Sequence, residues 1–373
     1  MNAATGATVL QVLVSTRPGG GPRHVLDLCL GLRARGWRPV VAGPRDGAYF
    51  ARFLETGIDI SQLPTDRAGP ATTLRLLSLA RRRGVRLIHS HGKGAGLHGR
   101  LAARALSLPA VHTFHGIHVE RYGRFRRAAY IGLERCLSRW TAATIHVSRA
   151  QEAEALALGL GPVVRSHVVV NGIDVARVQR EALERDDARR RLGLDPGMSV
   201  VGSLARLDEV KRLNVLVRAV AQAAQSRVTL VLVGGGPEEA GLRGLVRTLG
   251  LEGRVYLTGE IPDGARLLRA FDLYAAPSRK EGMPLAVVEA MALGLPVVAS
   301  DIPAHREVLG PGYPAFLPND PDLLARMIDR LLDDATARGT LGEQNRARAE
   351  KLFDAARMVN GVEAVYRAVL GRS

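Results

Sequence analysis

Apolar runs of strand length alternate along this chain with segments whose apolar residues recur every three or four positions. Residues 8–15 are almost continuously apolar, as in a parallel strand covered on both faces. Pro18 and the glycines 19–21 then turn the chain, and 23–35 has helical spacing that stops at Gly36. The same unit recurs as strand 38–42, helix 74–83, strand 86–90, helix 97–106 and strand 110–114, with short strands at 144–148 and 166–170. After a charged helix predicted over 181–192, strands at 199–204, 228–233 and 255–258 continue the alternation. The pattern predicts an α/β protein built on parallel sheets, whose ligands gather at the carboxyl ends of the strands.

The stretch 272–300 is the most informative. An apolar run closes at Pro277, a polar loop follows, and Pro284 stands where a helix start tolerates proline. The predicted helix 285–293 is apolar all round except for Glu289, and Gly294 and Pro296 stop it before a strand at 297–300. A carboxylate in a buried helix needs a polar partner, and Glu281 approaches the same region from the loop. Backbone N–H groups of Met283, Leu285 and Ala286, added to the helix dipole, would attract phosphate, while two carboxylates would accept hydrogen bonds from sugar hydroxyls. That combination suits a nucleotide sugar. For Glu281 alone, an ion pair with Arg279 or Lys280 on a solvated loop is the plainer expectation. Arg206 and Lys211 follow the strand 199–204 and could clamp a diphosphate, or could pair with Asp208 or Glu209.

At 373 residues the chain suits two domains. Turn chemistry at Asn171, Gly172 and Asp174 puts the boundary there, giving domains at 1–170 and 171–352 and a last helix, 355–370 within 353–373, that crosses back to the first domain. The net charge of +16 comes almost entirely from arginine and favours an anionic partner. Aromatic residues at 4% argue against a stacking platform for single strands, so nucleic acid is not an expected partner. Cys29 and Cys136 lack the spacing of a disulfide framework or a zinc site. His89, His91, His112 and His115 fall near the ends of two strands, but with Glu120 the one acid nearby they read as hydrogen-bonded structure, and no metal is expected. The glycine loop is not GxGxxG and no acid ends the strand 38–42, which disfavours a nicotinamide dehydrogenase. No run reaches the length of a spanning helix and no signal peptide is visible, so a cytoplasmic protein is expected. Residues 121–140 mix arginines with Phe125, Tyr130, Leu133 and Trp140 at helical intervals, which suits the anionic inner face of a membrane or a surface helix with a solvated basic face.

Taken together these motifs resemble the retaining, nucleotide-sugar-dependent glycosyltransferases of family 4. Their GT-B fold has two facing Rossmann-like domains with parallel sheets and an inter-domain cleft. The resemblance rests on the glycines 19–21, His115 in HTFHG, NGID at 171–174, Arg206 and Lys211 in GSLARLDEVKRL, GGGPEE, and EGMPLAVVEA, the family's E-x7-E motif. It implies that Glu281 contacts donor-sugar hydroxyls, Glu289 the ribose, and Arg206 and Lys211 the diphosphate. By the same resemblance the backbone of Gly282, Met283, Pro284 and Leu285 meets phosphate and sugar, and Ile261 meets the base. Gly20 and Gly21 would underlie the diphosphate, and His115 would sit near the reacting carbon. Met283 stands where many relatives have an aromatic residue.

The implied activity is transfer of a hexose from a UDP- or GDP-linked sugar to an acceptor hydroxyl, with retention and with neither metal nor cofactor. The acceptor would be a saccharide, or a lipid-linked saccharide for cell-surface polysaccharide. The alternatives are a nucleotide-sugar 2-epimerase of the same architecture and a non-catalytic basic module for membrane or nucleic acid. A pyridoxal-phosphate phosphorylase is disfavoured, because the chain holds only Lys93, Lys211, Lys280 and Lys351 as lysines.

Overall fold

The computed structural model describes residues 6–371 except 118, 120–121, 162, 225–227, 314 and 317–319. Glu120 and Arg121, used in the sequence reading, lie outside the described residues. Two compact units divide the chain, Met1–Gly172 with Ala355–Ser373, and Ile173–Asp354.

The first unit is built on β1 (Thr8–Leu13), β2 (Arg38–Gly43), β3 (Asp59–Gln62), β4 (Val85–His91), β5 (Ala110–Thr113), β6 (Ala143–His146) and β7 (Ser166–Val168). They form one parallel sheet in the order β3-β2-β1-β4-β5-β6-β7, with Leu10 of β1 in register with Val40 and Ile88 on either side. Alternate side chains of these strands face opposite ways. Val9, Leu87, Val111 and Ile145 pack with Met358, Val359, Val362 and Tyr366 of the helix Ala355–Leu370. Leu10, Val12, Ile88 and Ala110 pack with Leu76, Leu79, Ala95 and Ala102 of the helices Pro70–Arg82 and Lys93–Ala105. Both faces are covered, which is why the strands read as apolar runs rather than as alternation.

The second unit carries β8 (Ser199–Leu204), β9 (Val228–Val233), β10 (Val255–Leu257), β11 (Leu273–Ala276), β12 (Val297–Ser300) and β13 (Ala315–Phe316). Their order is β10-β9-β8-β11-β12-β13, again all parallel. Each sheet therefore reverses its winding once, between β1 and β4 and between β8 and β11.

The predicted helix 181–192 is instead two helices, Val175–Glu181 and Arg185–Leu192. Ala182 turns to extended backbone and the N–H of Leu183 bonds to the carbonyl of Arg266 at 2.9 Å, a pairing no local pattern signals. The helices predicted at 322–332 and 341–352 extend to Pro321–Asp333 and Ala335–Leu352, because Asp320 and Asp334 accept backbone N–H bonds of 2.8 Å as N-caps.

Candidate functional site

In the second unit the loops that leave β8 and β11 meet outside the carboxyl ends of those strands. The loop after β8 extends the ladder, with Ala205 N–H on Val233 O and Leu207 N–H on Gly235 O, both 3.0 Å. A Cβ at Gly236 would lie 2.2 Å from the Leu207 carbonyl, so only glycine lets these two loops close on each other. The hydroxyl of Tyr274 donates to Leu204 O at 3.0 Å and pins the end of β8 to β11. On this footing stand Arg206, two-thirds exposed and paired with the buried Asp208, and Lys211.

Lys211 Nζ donates to Glu281 Oε1 at 2.6 Å, and Ser278 Oγ donates to the same oxygen at 2.6 Å. The sequence reading offered Arg279 or Lys280 as partner for Glu281. The structure gives it Lys211, while Arg279 lies 3.6 Å from Glu209. The reason is sheet order: β8 and β11 are neighbours, so their loops meet across 70 positions of chain. Burial by itself would raise the Glu281 carboxyl. The Lys211 charge and the two hydrogen bonds override burial and hold it below the usual range. His305 is buried and kept neutral by burial, its Nδ1 2.9 Å from the Ser300 carbonyl.

The helix Leu285–Ala292 carries Glu289 on a buried turn. Burial, and after it the Glu289 and Glu281 charges, pushes the Tyr274 hydroxyl up. Pro284 precedes the first helical residue, with φ −82° and ψ 78°. This is an inverse γ-turn that closes Leu285 N–H onto Met283 O at 3.0 Å. Leu285 N–H is therefore not free, contrary to expectation. Those of Met283 and Ala286 have no partner among the described residues. The side chains of Met283 and Leu285 are buried, and Gly282 is half-buried. Ile261 stands apart from this cluster, on the loop after β10, at the wall of an open cavity with Arg191, Arg243 and Thr258.

In the first unit the helix Gly20–Ala34 starts three residues earlier than predicted, so Gly20 and Gly21 are its first turn rather than a loop. No side chain caps it. Gly21 adjoins His115: a Cβ there would lie 4.0 Å from the imidazole. His115 has φ 57°, a left-handed backbone that histidine rarely adopts and that packing must hold in place. Its Nε2 lies 2.9 Å from Nδ1 of His91, and His91 Nε2 lies 2.8 Å from Gln11 Oε1. Gln11 Nε2 donates to Tyr366 Oη at 2.9 Å, which lies 2.6 Å from His89 Nδ1. His89 Nε2 is 2.8 Å from Thr113 Oγ1. Burial first, then the neighbouring imidazoles, lowers His89, His91 and His115, so all are neutral near pH 7.

His24, His91 and His115 offer ligand atoms within 4.8 Å of one another, the spacing of a metal trio among the described residues. His91, however, already spends both nitrogens on His115 and Gln11, and an ion could enter only by breaking that chain. His112 lies outside the trio, its Nδ1 3.0 Å from Ser90 Oγ. The basic helix Arg124–Ser138 is anchored by Glu134, buried against Arg100 at 2.7 Å. It exposes Arg124, Phe125, Arg126, Arg127 and Leu133.

Sequence reading missed Ser278, His305, Gln11, Tyr366 and His24. Ser278 lay within reach, three positions before Glu281, and Gln11 is a lone amide in an apolar strand, a signal of a buried bonding demand. His305, Tyr366 and His24 carried no local mark.

Two doubly wound parallel sheets, each with its polar cluster at a switch point, define the class. The chain belongs to the family 4 glycosyltransferases and has the GT-B fold. It matches the family described as Glycosyltransferase Family 4 over residues 18–177 and Glycosyl transferases group 1 over 184–348. It is 33% identical to the D-inositol 3-phosphate glycosyltransferase of Rhodococcus erythropolis over 74% of its own length and spans 64% of that relative. With the D-inositol 3-phosphate glycosyltransferase of Mycobacterium marinum the identity is 30% over 90% of this chain and 72% of the relative. The fold matches Alr3699/HepE of Anabaena, solved with UDP and glucose, with a TM-score of 0.87 over 97% of this chain and 100% of that one, at 24% identity.

Proposed function

We propose that this chain moves a hexosyl group from a UDP- or GDP-linked sugar to an acceptor hydroxyl with retention of the anomeric configuration, using neither metal nor cofactor. The observation that carries this reading is the Lys211–Glu281 pair with Ser278, beside the exposed Arg206, at the carboxyl ends of β8 and β11. The relatives are named glycosyltransferases, and the Anabaena structure holds UDP and glucose.

In this reading Lys211 and Arg206 turn from their carboxylates to the diphosphate. Glu281, ionised, accepts from the donor-sugar hydroxyls, and Glu289 from the ribose. As the bond from anomeric carbon to phosphate oxygen lengthens, the diphosphate gains charge, and stabilising that charge is the main task of the two cations. The acceptor oxygen bonds to the anomeric carbon on the face the diphosphate leaves, and its proton passes to the departing phosphate oxygen. Charge and protons balance without a protein base.

The acceptor is a saccharide, and the exposed basic helix Arg124–Ser138 supports one that is lipid-linked, in cell-surface polysaccharide synthesis, with the protein peripheral on an anionic membrane. Calorimetric titration of UDP, GDP and their sugar conjugates in chelator-treated buffer tests the donor site. Wild type should bind one base selectively and Glu289→Ala should lose that binding. No binding to any nucleotide would overturn the reading, and an isomerised donor formed without acceptor would select the 2-epimerase instead.

A further inference from the structure

The buried polar chain of the first unit links Thr113, His89, Tyr366, Gln11, His91 and His115 in that order. Each imidazole is neutral and each interior member donates on one side and accepts on the other, so the direction of one link fixes the direction of all. Gln11 breaks the symmetry, because its NH2 end can only donate and its carbonyl end can only accept. With Nε2 donating to Tyr366, Oε1 must accept from His91 Nε2–H. The bare Nδ1 of His91 then accepts from His115 Nε2–H, which leaves Nδ1 of His115 without a proton. On the other side Tyr366 O–H donates to His89 Nδ1, and His89 Nε2–H donates to Thr113. A reversed amide would reverse every link and put the proton on His115 Nδ1.

We propose that Gln11 and Tyr366 are positioning residues that lock His115 in the tautomer with a bare Nδ1, making it a hydrogen-bond acceptor for a hydroxyl of a sugar bound at the first unit and not an acid. The ligand in this proposal rests on the functional reading above; the tautomer does not. Nδ1 of His115 has no partner among the described residues, and the side chain is half-buried beside the first turn of the helix Gly20–Ala34. The described groups around it, His24 with ring centroids 4.8 Å away, His91 at 5.1 Å, and His89 beyond, are uncharged, so none among the described residues stabilises an imidazolium. Tyr366 is fully buried, and its phenol is pushed well up by burial and stays protonated. The last helix thus supplies, besides apolar surface, the one hydroxyl that orients the amide.

The test is long-range 1H–15N correlation of the full chain labelled at histidine, with His115→Asn assigning the signal, read alongside steady-state kinetics. Wild-type His115 should be protonated at Nε2 alone. Tyr366→Phe removes the acceptor for the Gln11 amide and should mix in the Nδ1–H form. Thr113→Val, five links from His115, removes the acceptor of His89 Nε2–H and should drive the chain toward reversal. In both, kcat should fall about tenfold, the worth of one hydrogen bond, with donor KM within about twofold. A wild-type His115 protonated at Nδ1, or a tautomer unmoved in both variants whatever their thermal stability, overturns the proposal. The expected tautomers with no sugar transfer by wild type would sustain the lock and remove the functional reading.

Discussion

At the scale of the residue, Glu281 shows how one contact sets chemistry. Its carboxyl is buried and would be raised, yet the ammonium of Lys211 at 2.6 Å holds it low and ionised. Lys211→Ala removes both this pairing and a cation for the leaving diphosphate. The transition state should lose about 2–4 kcal/mol, the worth of an oxyanion donor, and an unchanged kcat/KM would remove Lys211 from the mechanism. Glu281 and Glu289 were legible in the sequence because a short loop and one helix hold them eight positions apart. The partner of Glu281 was not, because Arg279 and Lys280 lie beside it in sequence and only the meeting of two loops brings Lys211 to it.

At the scale of the element, the helix starts and the glycine loops place the backbone. Gly236 lets the loop after β9 lie against the segment that carries Arg206 and Lys211, with no space for a Cβ at 2.2 Å from the Leu207 carbonyl. Gly236→Ala should cost about 1–3 kcal/mol of stability and raise the donor KM, because backbone rather than a flexible side chain must move. Thermal unfolding and donor titration check both, and an unchanged KM would mean that the segment does not hold the diphosphate. The inner strands were legible because burial on both faces writes itself as continuous apolar runs, whereas the edge strands Asp59–Gln62 and Ala315–Phe316 carry no such run and were not. The break at Ala182 and the early start at Gly20 were not, since one follows from a long-range backbone bond and the other from glycine's weak helix preference.

At the scale of the whole molecule, nine of the ten histidines lie in the first unit, with His305 alone in the second. Burial lowers His24 and His146 from 6.5 to about 4. An unfolded chain takes up protons on these groups below about pH 6.5 while the folded chain does so only near 4, so their contribution is full above 6.5 and falls between 6.5 and 4. Each should cost about 3 kcal/mol by pH 4. Thermal unfolding of the first unit should fall steeply from pH 7 to 5, and a flat profile would contradict the buried neutral histidines.

The +16 charge and the exposed face of Arg124–Ser138 act at the same scale. No helix among the described residues is long and apolar enough to cross a membrane. Binding to vesicles with anionic lipid should weaken with salt and, in Phe125→Ser, by about 1.5–3 kcal/mol. Equal binding by wild type and variant would show that the helix face is merely solvated.

By itself the sequence determined the alternation of strand and helix, the loops that must be glycine, the spacing of Glu281 and Glu289, and with these the family. All are properties of neighbours along the chain: period, backbone freedom and short-range distance. Only the tertiary structure decided that Lys211 holds Glu281 and that Gln11 and Tyr366 stand behind His115. Those contacts span 70 and 355 positions, and they exist because sheet order, not sequence order, brings β8 to β11 and the last helix to β1.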